Sequence, residues 1–142
     1  MTQKKIIVAL DSDNLKNAIS LVNNLKNDVC AFKIGYEFFL NFGINGYKSI
    51  QQKNVKIFLD LKLHDIPNTC VSTVRVIKDL KINYLTIHIS SGLDALKAVK
   101  KISGKIKMVG VSTLTSLNNK KLKQTGYTRS VKNLVIQQAK LA

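Results

Sequence analysis

The feature that most constrains this chain is an alternation. Short runs rich in Ile, Val, Leu and Phe recur at residues 6–10, 29–35, 56–63, 84–90 and 106–114. Their starts lie 22 to 28 residues apart. Between them, apolar residues recur every three to four positions. Alternation at this spacing predicts parallel strands joined by right-handed helical crossovers. Parallel strands are covered on both faces and read as nearly continuous apolar runs, as Ile6-Ile7-Val8-Ala9-Leu10 does.

The intervening stretches carry helix signals. Asp13 or Asn14 caps a helix that presents Leu15, Ala18, Ile19, Val22 and Leu25 on one face. Residues 36–40 read as one short turn, and 43–53 carry Ile44, Tyr47 and Ile50. Pro67 suits the first turn of the next helix, with Val71, Val74, Ile77 and Leu80 as its apolar positions. Residues 93–102 follow with Leu96 and Val99, and residues 130–142 show Val131, Leu134, Val135 and Ala139. Five βα units fit a doubly wound open sheet or the first part of a (β/α)8 TIM barrel, which takes about 250 residues when complete. The last helical pattern still runs at Ala142 without a Gly or Pro stop, which favours the incomplete barrel. No Pro- or Gly-rich linker interrupts the chain. The expectation is an α/β fold in one domain, 1–142, forming the N-terminal part of a TIM barrel truncated at its C-terminal end.

Composition narrows the function classes. Hydrophobic residues make up 45% and charged residues 22%, enough for a core and unlike a disordered chain. No apolar run approaches the roughly 18–20 residues of a membrane span. The N-terminal segment Met1-Thr2-Gln3-Lys4-Lys5 leads into five apolar residues, too few for a signal-peptide core. A cytoplasmic protein with no membrane partner is expected. The net charge is +15, yet Arg75 and Arg129 are the sole arginines. A reader of bases or phosphates draws more heavily on Arg, so no nucleic-acid partner is expected. Cys30 and Cys70 have no CxxC partner or His at zinc spacing, and read as small buried hydrophobes. With only 8 acids in the chain, each Asp beside an apolar run stands out.

Polar residues gather where the strands end. Asp11 follows the first run, Lys33 ends the second, and Asp60, Lys62 and Asp65 end the third. His88 and Ser90 end the fourth; Ser112, Thr113 and Thr115 end the fifth. Ligand sites in barrels and open α/β sheets are built from these C-terminal strand ends. In the third run, Asp60 and Lys62 stand two apart, which puts them on one face of a regular strand. A buried ion pair is tolerated but rarely kept for stability alone, and perturbed charges at strand ends mark sites. His64 reads as a general acid, a metal ligand or a residue that holds its loop; His88 lines a ligand space or bonds within the interior. The two histidines and scattered aspartates form no metal-ligand spacing. No GxGxxG, GxxxxGK[ST] or GxSxG motif occurs.

The string FLDLKLHDIPNT at 58–69 closely resembles the DxKxxDIPxT signature of the orotidine 5′-phosphate decarboxylase family. IIVALD at 6–11, FKIGYEFF at 32–39 and VSTLTS at 111–116 resemble that family's first, second and fifth strands, in order and spacing. A related sugar-phosphate decarboxylase and synthase family shares the DxKxxD core but not HDIPNT. The resemblance implies decarboxylation of orotidine 5′-monophosphate to UMP, in pyrimidine biosynthesis, with no metal and no organic cofactor. It implies that Asp60 and Lys62 are the catalytic pair, with Lys62 the proton donor. Asp65 matches an aspartate that reaches the neighbouring subunit's site in a homodimer, and Thr69 a ligand contact across that interface. Asp11 and Lys33 match ribose contacts, Lys33 also joining the charge array, and Thr115 matches a pyrimidine contact.

The resemblance also implies a shortfall. The family's phosphate-gripping Gln and Arg, and a Gly-Arg near its last strand, would lie beyond residue 142. The first and fifth strands would then be open apolar edges, an aggregation hazard, and the chain alone is expected to be poorly soluble or inactive. The alternative expectation is a catalytically inactive remnant that binds a nucleotide or a full-length partner subunit.

Overall fold

The computed structural model describes residues 4–142; Met1 to Gln3, the start of the segment read above for a signal peptide, lie outside the described residues. The strands are β1 (Ile7–Ala9), β2 (Ala31–Ile34), β3 (Ile57–Leu63), β4 (Tyr84–His88) and β5 (Lys107–Val111). The helices are α1 (Leu15–Leu25), α2 (Tyr36–Gln51), α3 (Pro67–Lys78), α4 (Leu93–Ile102), α5 (Asn119–Gln124) and α6 (Val131–Leu141). The sheet order is β1-β2-β3-β4-β5. β1 pairs in parallel with β2, Val8 opposite Phe32, and β2 with β3, Lys33 opposite Phe58.

That order decides between the two architectures. Doubly wound open sheets reverse their strand order at a switch point. Here every crossover leads to the next strand in sequence, the order of a (β/α)8 barrel. Each strand is shorter than its apolar run because single hydrogen bonds, not full pairing, hold the run's ends. Cys30 N–H donates to the Ile6 carbonyl at 2.7 Å, and Leu10 N–H to the Lys33 carbonyl at 2.9 Å.

Local chemistry explains the helix limits. The Asn14 side chain caps α1 by accepting from Asn17 N–H at 3.1 Å, and Ser130 caps α6 by accepting from Asn133 N–H at 3.3 Å. Residues 36–40 and 43–53, expected as separate pieces, are two arms of α2 that meet at Gly43. Its φ of 55° and ψ of −151° break the helix at little cost only for glycine. Three residues on, a Cβ on Gly46 would stand 2.2 Å from the Phe42 Cβ, so no side chain fits there. Two elements had no sequence signal: a 3-10 turn at Ile89–Ser91, and α5, whose only buried residue is Leu122 and which therefore shows no periodicity.

The chain falls into two compact units. The first holds residues up to Leu61 with Leu80–Leu85 and Lys105–Lys107. In it α1 packs on α2, and Val22, Phe32, Ile34, Phe38, Ile50, Ile57 and Leu59 are fully buried. The Tyr47 hydroxyl donates to the Leu80 carbonyl, which also accepts from Gln51 Nε2 at 2.8 Å. Burial pushes Tyr47 up to about 12. The second unit holds Lys62–Asp79, Thr86–Gly104 and Met108–Ala142. Its centre is the packing of α3 on α4, through Cys70, Val74 and Ile77 on α3 and Ala95 and Val99 on α4. No described helix is long and apolar enough to cross a membrane.

Candidate active site

In the first unit, three strand ends converge on one ammonium. Lys33 Nζ lies 3.7 Å from Asp11 Oδ1 and 3.6 Å from Asp60 Oδ2. Asp60 is 8% exposed and is the one buried charged residue among those described. A carboxylate so placed is tolerated only with compensation, and Lys33 supplies it. Asp11 is exposed, so the array is closed on the β3 side and open on the β1 side. The Tyr36 hydroxyl, at the start of α2, donates to the Leu61 carbonyl and ties that helix to the end of β3.

In the second unit, Lys62 opens a different arrangement. Its φ is 44°, in the left-handed region, where a residue with a Cβ is strained by about 1–3 kcal/mol. Lys62 still belongs to β3, and its left-handed backbone is a local irregularity near the end of that strand. Its backbone N–H donates to Thr86 Oγ1 at 2.8 Å, and Thr86 is 3% exposed. A buried hydroxyl thus holds the strained residue in place.

Two histidines stand beside it. The His64 and His88 rings are 4.8 Å apart at 34°, and His64 Nε2 lies 3.1 Å from Ser90 Oγ. His88 is held below its ordinary value, first by burial and then by His64 and the Lys62 charge. Lys62 is thus within electrostatic reach of an imidazole whose protonation it disfavours.

The remaining residues singled out from the sequence lie on the surface. Asp65 is exposed after β3, its Oδ1 accepting from Ile66 N–H at 2.7 Å. Its carbonyl accepts from the buried Cys70 thiol at 3.3 Å, and burial pushes that thiol up. Thr69 is exposed on the first turn of α3, and Ile66 beside it is 66% exposed. Thr115 is exposed after β5. The structure therefore groups Asp11, Lys33 and Asp60 in one unit. In the other it groups Lys62 with Thr86, His64 and His88, and leaves Asp65, Thr69 and Thr115 open to solvent. Among the described residues no group of three or more His, Cys, Asp or Glu could hold a metal ion.

Residues 4–142 match the family described as Orotidine 5'-phosphate decarboxylase / HUMPS. The chain belongs to this family. It is 49% identical over 141 residues to a protein named orotidine 5'-phosphate decarboxylase from Wolbachia sp. subsp. Brugia malayi, covering 96% of this chain and 62% of that one. It is 42% identical to the protein of the same name from Ehrlichia chaffeensis, covering 100% of this chain and again 62% of the relative. Among solved structures, orotidine 5'-phosphate decarboxylase from Lactobacillus acidophilus superposes with a TM-score of 0.88 at 33% identity, over 98% of this chain and 66% of that one. The chain spans about 62% of the length of the curated relatives it matches.

The fold of this family explains which residues sequence reasoning overlooked. Thr86 lies in no quoted motif, and Tyr36, although inside FKIGYEFF, was not singled out. Each acts through the backbone of β3, and a bond from a side chain to a distant main-chain atom has no periodicity to reveal it. One signal was present for Thr86: a hydroxyl flanked by Leu85 and Ile87 inside an apolar run must find a partner when buried.

Proposed function

We propose that this chain carries the chemical groups for decarboxylating orotidine 5′-monophosphate to UMP and CO2. The single observation that supports this reading is the Asp11–Lys33–Asp60 array at the C-terminal ends of β1, β2 and β3, with Lys62 two residues further along the same strand as the buried Asp60. In this reading the bond from C6 to the carboxylate breaks and its electron pair stays on C6. The Lys62 ammonium stabilises that charge as it develops and then gives its proton to C6; solvent restores the ammonium. Asp60 orients Lys62, and Lys33 offsets the charge of the buried Asp60. Asp11 and Lys33 bind the ribose, and Thr115 the pyrimidine. No metal and no organic cofactor takes part. Asp65, Thr69 and the exposed Ile66 form the rim that a second copy would meet in a homodimer with shared sites, and the setting is cytoplasmic.

The remote phosphate contributes binding energy that drives chemistry at the ring, and the relatives' remaining length is where the resemblance puts its ligands. The test is the decay of orotidine 5′-monophosphate absorbance with this chain, beside Lys62→Ala. Turnover that falls by at least about a thousandfold in Lys62→Ala supports the reading. A folded, soluble chain with no turnover overturns it for this chain. That result would leave the alternative of a remnant that binds nucleotide or a full-length partner.

A further inference from the structure

The chemistry above uses only the C-terminal ends of the strands. At their other ends the first unit holds a cavity of about 420 Å³ whose lining includes Lys4, Lys26, Lys56 and Lys107. Each lysine arrives by the same logic. Parallel strands all begin at one end, and successive βα units place a lysine before or at the start of a strand. Lys4 precedes β1, Lys26 ends the helix before β2, Lys56 precedes β3, and Lys107 is the first residue of β5.

The turn from α2 into β3 helps to shape the site. Asn54, at φ 56°, lets the chain reverse and brings Lys56 to the rim; Asn tolerates this left-handed conformation better than most residues. The Lys56 carbonyl then accepts from Phe32 N–H at 2.9 Å, which fixes that segment to β2. Tyr84, the first residue of β4, lines the wall. Lys107 Nζ sits 5.7 Å from its ring centroid, a cation–π contact that holds the ammonium over the cavity. Lys4 Nζ donates to the Asn27 carbonyl. Burial and the neighbouring Cys30 raise Tyr84, so its hydroxyl remains a donor at neutral pH.

Among the described residues no carboxylate lines this cavity, although the other end of the same unit gives two to one lysine. Four like charges around a concavity repel one another and focus a positive potential into it. A counter-anion relieves that repulsion. Lysines, as compact point charges, suit phosphate oxygens, and the volume takes a small molecule rather than a polymer. We propose that this cavity binds a compact polyanion of the di- or triphosphate class, either free or as the tail of a nucleotide.

The test is calorimetric titration of the full 142-residue chain at 0.15 M salt with inorganic triphosphate and, separately, with a nucleoside triphosphate. Saturable binding of one equivalent is expected. The double variant Lys56→Ala, Lys107→Ala should weaken it at least about tenfold. Arginine at both positions should restore it to within about threefold, because the charge is kept. Lys62→Ala should bind as the parent does, which separates this site from the proposed catalytic one. Equal affinity for the two ligands assigns the site to the phosphate chain alone; tighter binding of the nucleoside form, lost in the same double variant, assigns it to a nucleotide. Two results overturn the proposal. One is no saturable binding of either ligand. The other is equal weakening by Lys100→Ala, Lys101→Ala on α4, which would mean diffuse attraction to a basic protein.

Discussion

The two ends of the strands in the first unit treat lysine in opposite ways. At the C-terminal ends, Lys33 has a carboxylate on either side, at 3.7 and 3.6 Å. At the N-terminal ends, four lysines share a cavity with no carboxylate in its lining. The chain has 8 acids against 23 basic residues, so where acids go is informative. Two of them compensate a single ammonium beside the family's signature strand. Compensation fixes a charge in position, whereas uncompensated charges of one sign produce a field. The first arrangement suits preorganised chemistry and the second suits capture of an anion.

Removing lysine should therefore have opposite consequences at the two ends. Lys33→Met removes one cation from beside the buried Asp60. Breaking a fully buried pair costs about 3–5 kcal/mol, but Lys33 is partly exposed and the distances exceed hydrogen-bond length. A loss of about 1–2 kcal/mol in urea unfolding is expected. Adding Asp60→Asn to Lys33→Met should recover part of that loss, since the neutral amide needs no cation. An additive double variant would show that the array stores no coupling.

An intermediate effect concerns the neutral imidazole of the second unit. His88 is held below its ordinary value of 6.5 by burial, His64 and the Lys62 charge. As pH falls through 6.5 the unfolded chain takes up this proton before the folded chain does. Stability therefore declines with acid across that window and is whole above it. His88→Asn should flatten the profile of urea midpoint against pH between about 5 and 7. Lys62→Ala should flatten it partially, through loss of one of the three causes. An unchanged slope in His88→Asn would assign the acid sensitivity elsewhere.

The smallest effect has the opposite sign from the first. Lys56→Ala relieves repulsion at the basic cavity and should stabilise the unliganded chain by about 0.2–0.5 kcal/mol. The gain should shrink as salt rises from 0.05 to 0.5 M, where the Debye length is roughly 14 and 4 Å. Destabilisation by this variant would erase the contrast between the two ends.

Much of this was legible in the sequence because its causes are local. The run of Asn14 before an amphipathic stretch fixed the start of α1, Pro67 opened α3, and Gly43 separated the arms of α2. The alternation of strands and helices gave the parallel α/β class, and FLDLKLHDIPNT alone points to the family. Strand lengths were overstated because an apolar run does not stop at the last ladder hydrogen bond, and it need not be buried there: Ile6 is 63% exposed. α5 was missed for the complementary reason, since six residues with one buried leucine leave no period to read.

What only the tertiary structure decided rests on contacts between residues far apart in the chain. The barrel was already the expectation from the sequence, and the order β1-β2-β3-β4-β5 bears it out. The left-handed backbone at Lys62, and the bond from its N–H to Thr86, 24 residues on, had no local signal in the sequence. The union of Lys33 with two aspartates, and of four lysines around one cavity, likewise depends on strands brought side by side. The sequence by itself determined which elements form and which residues carry charge. Their partners were decided by parallel pairing, because hydrogen-bond register, not spacing along the chain, sets which side chains meet.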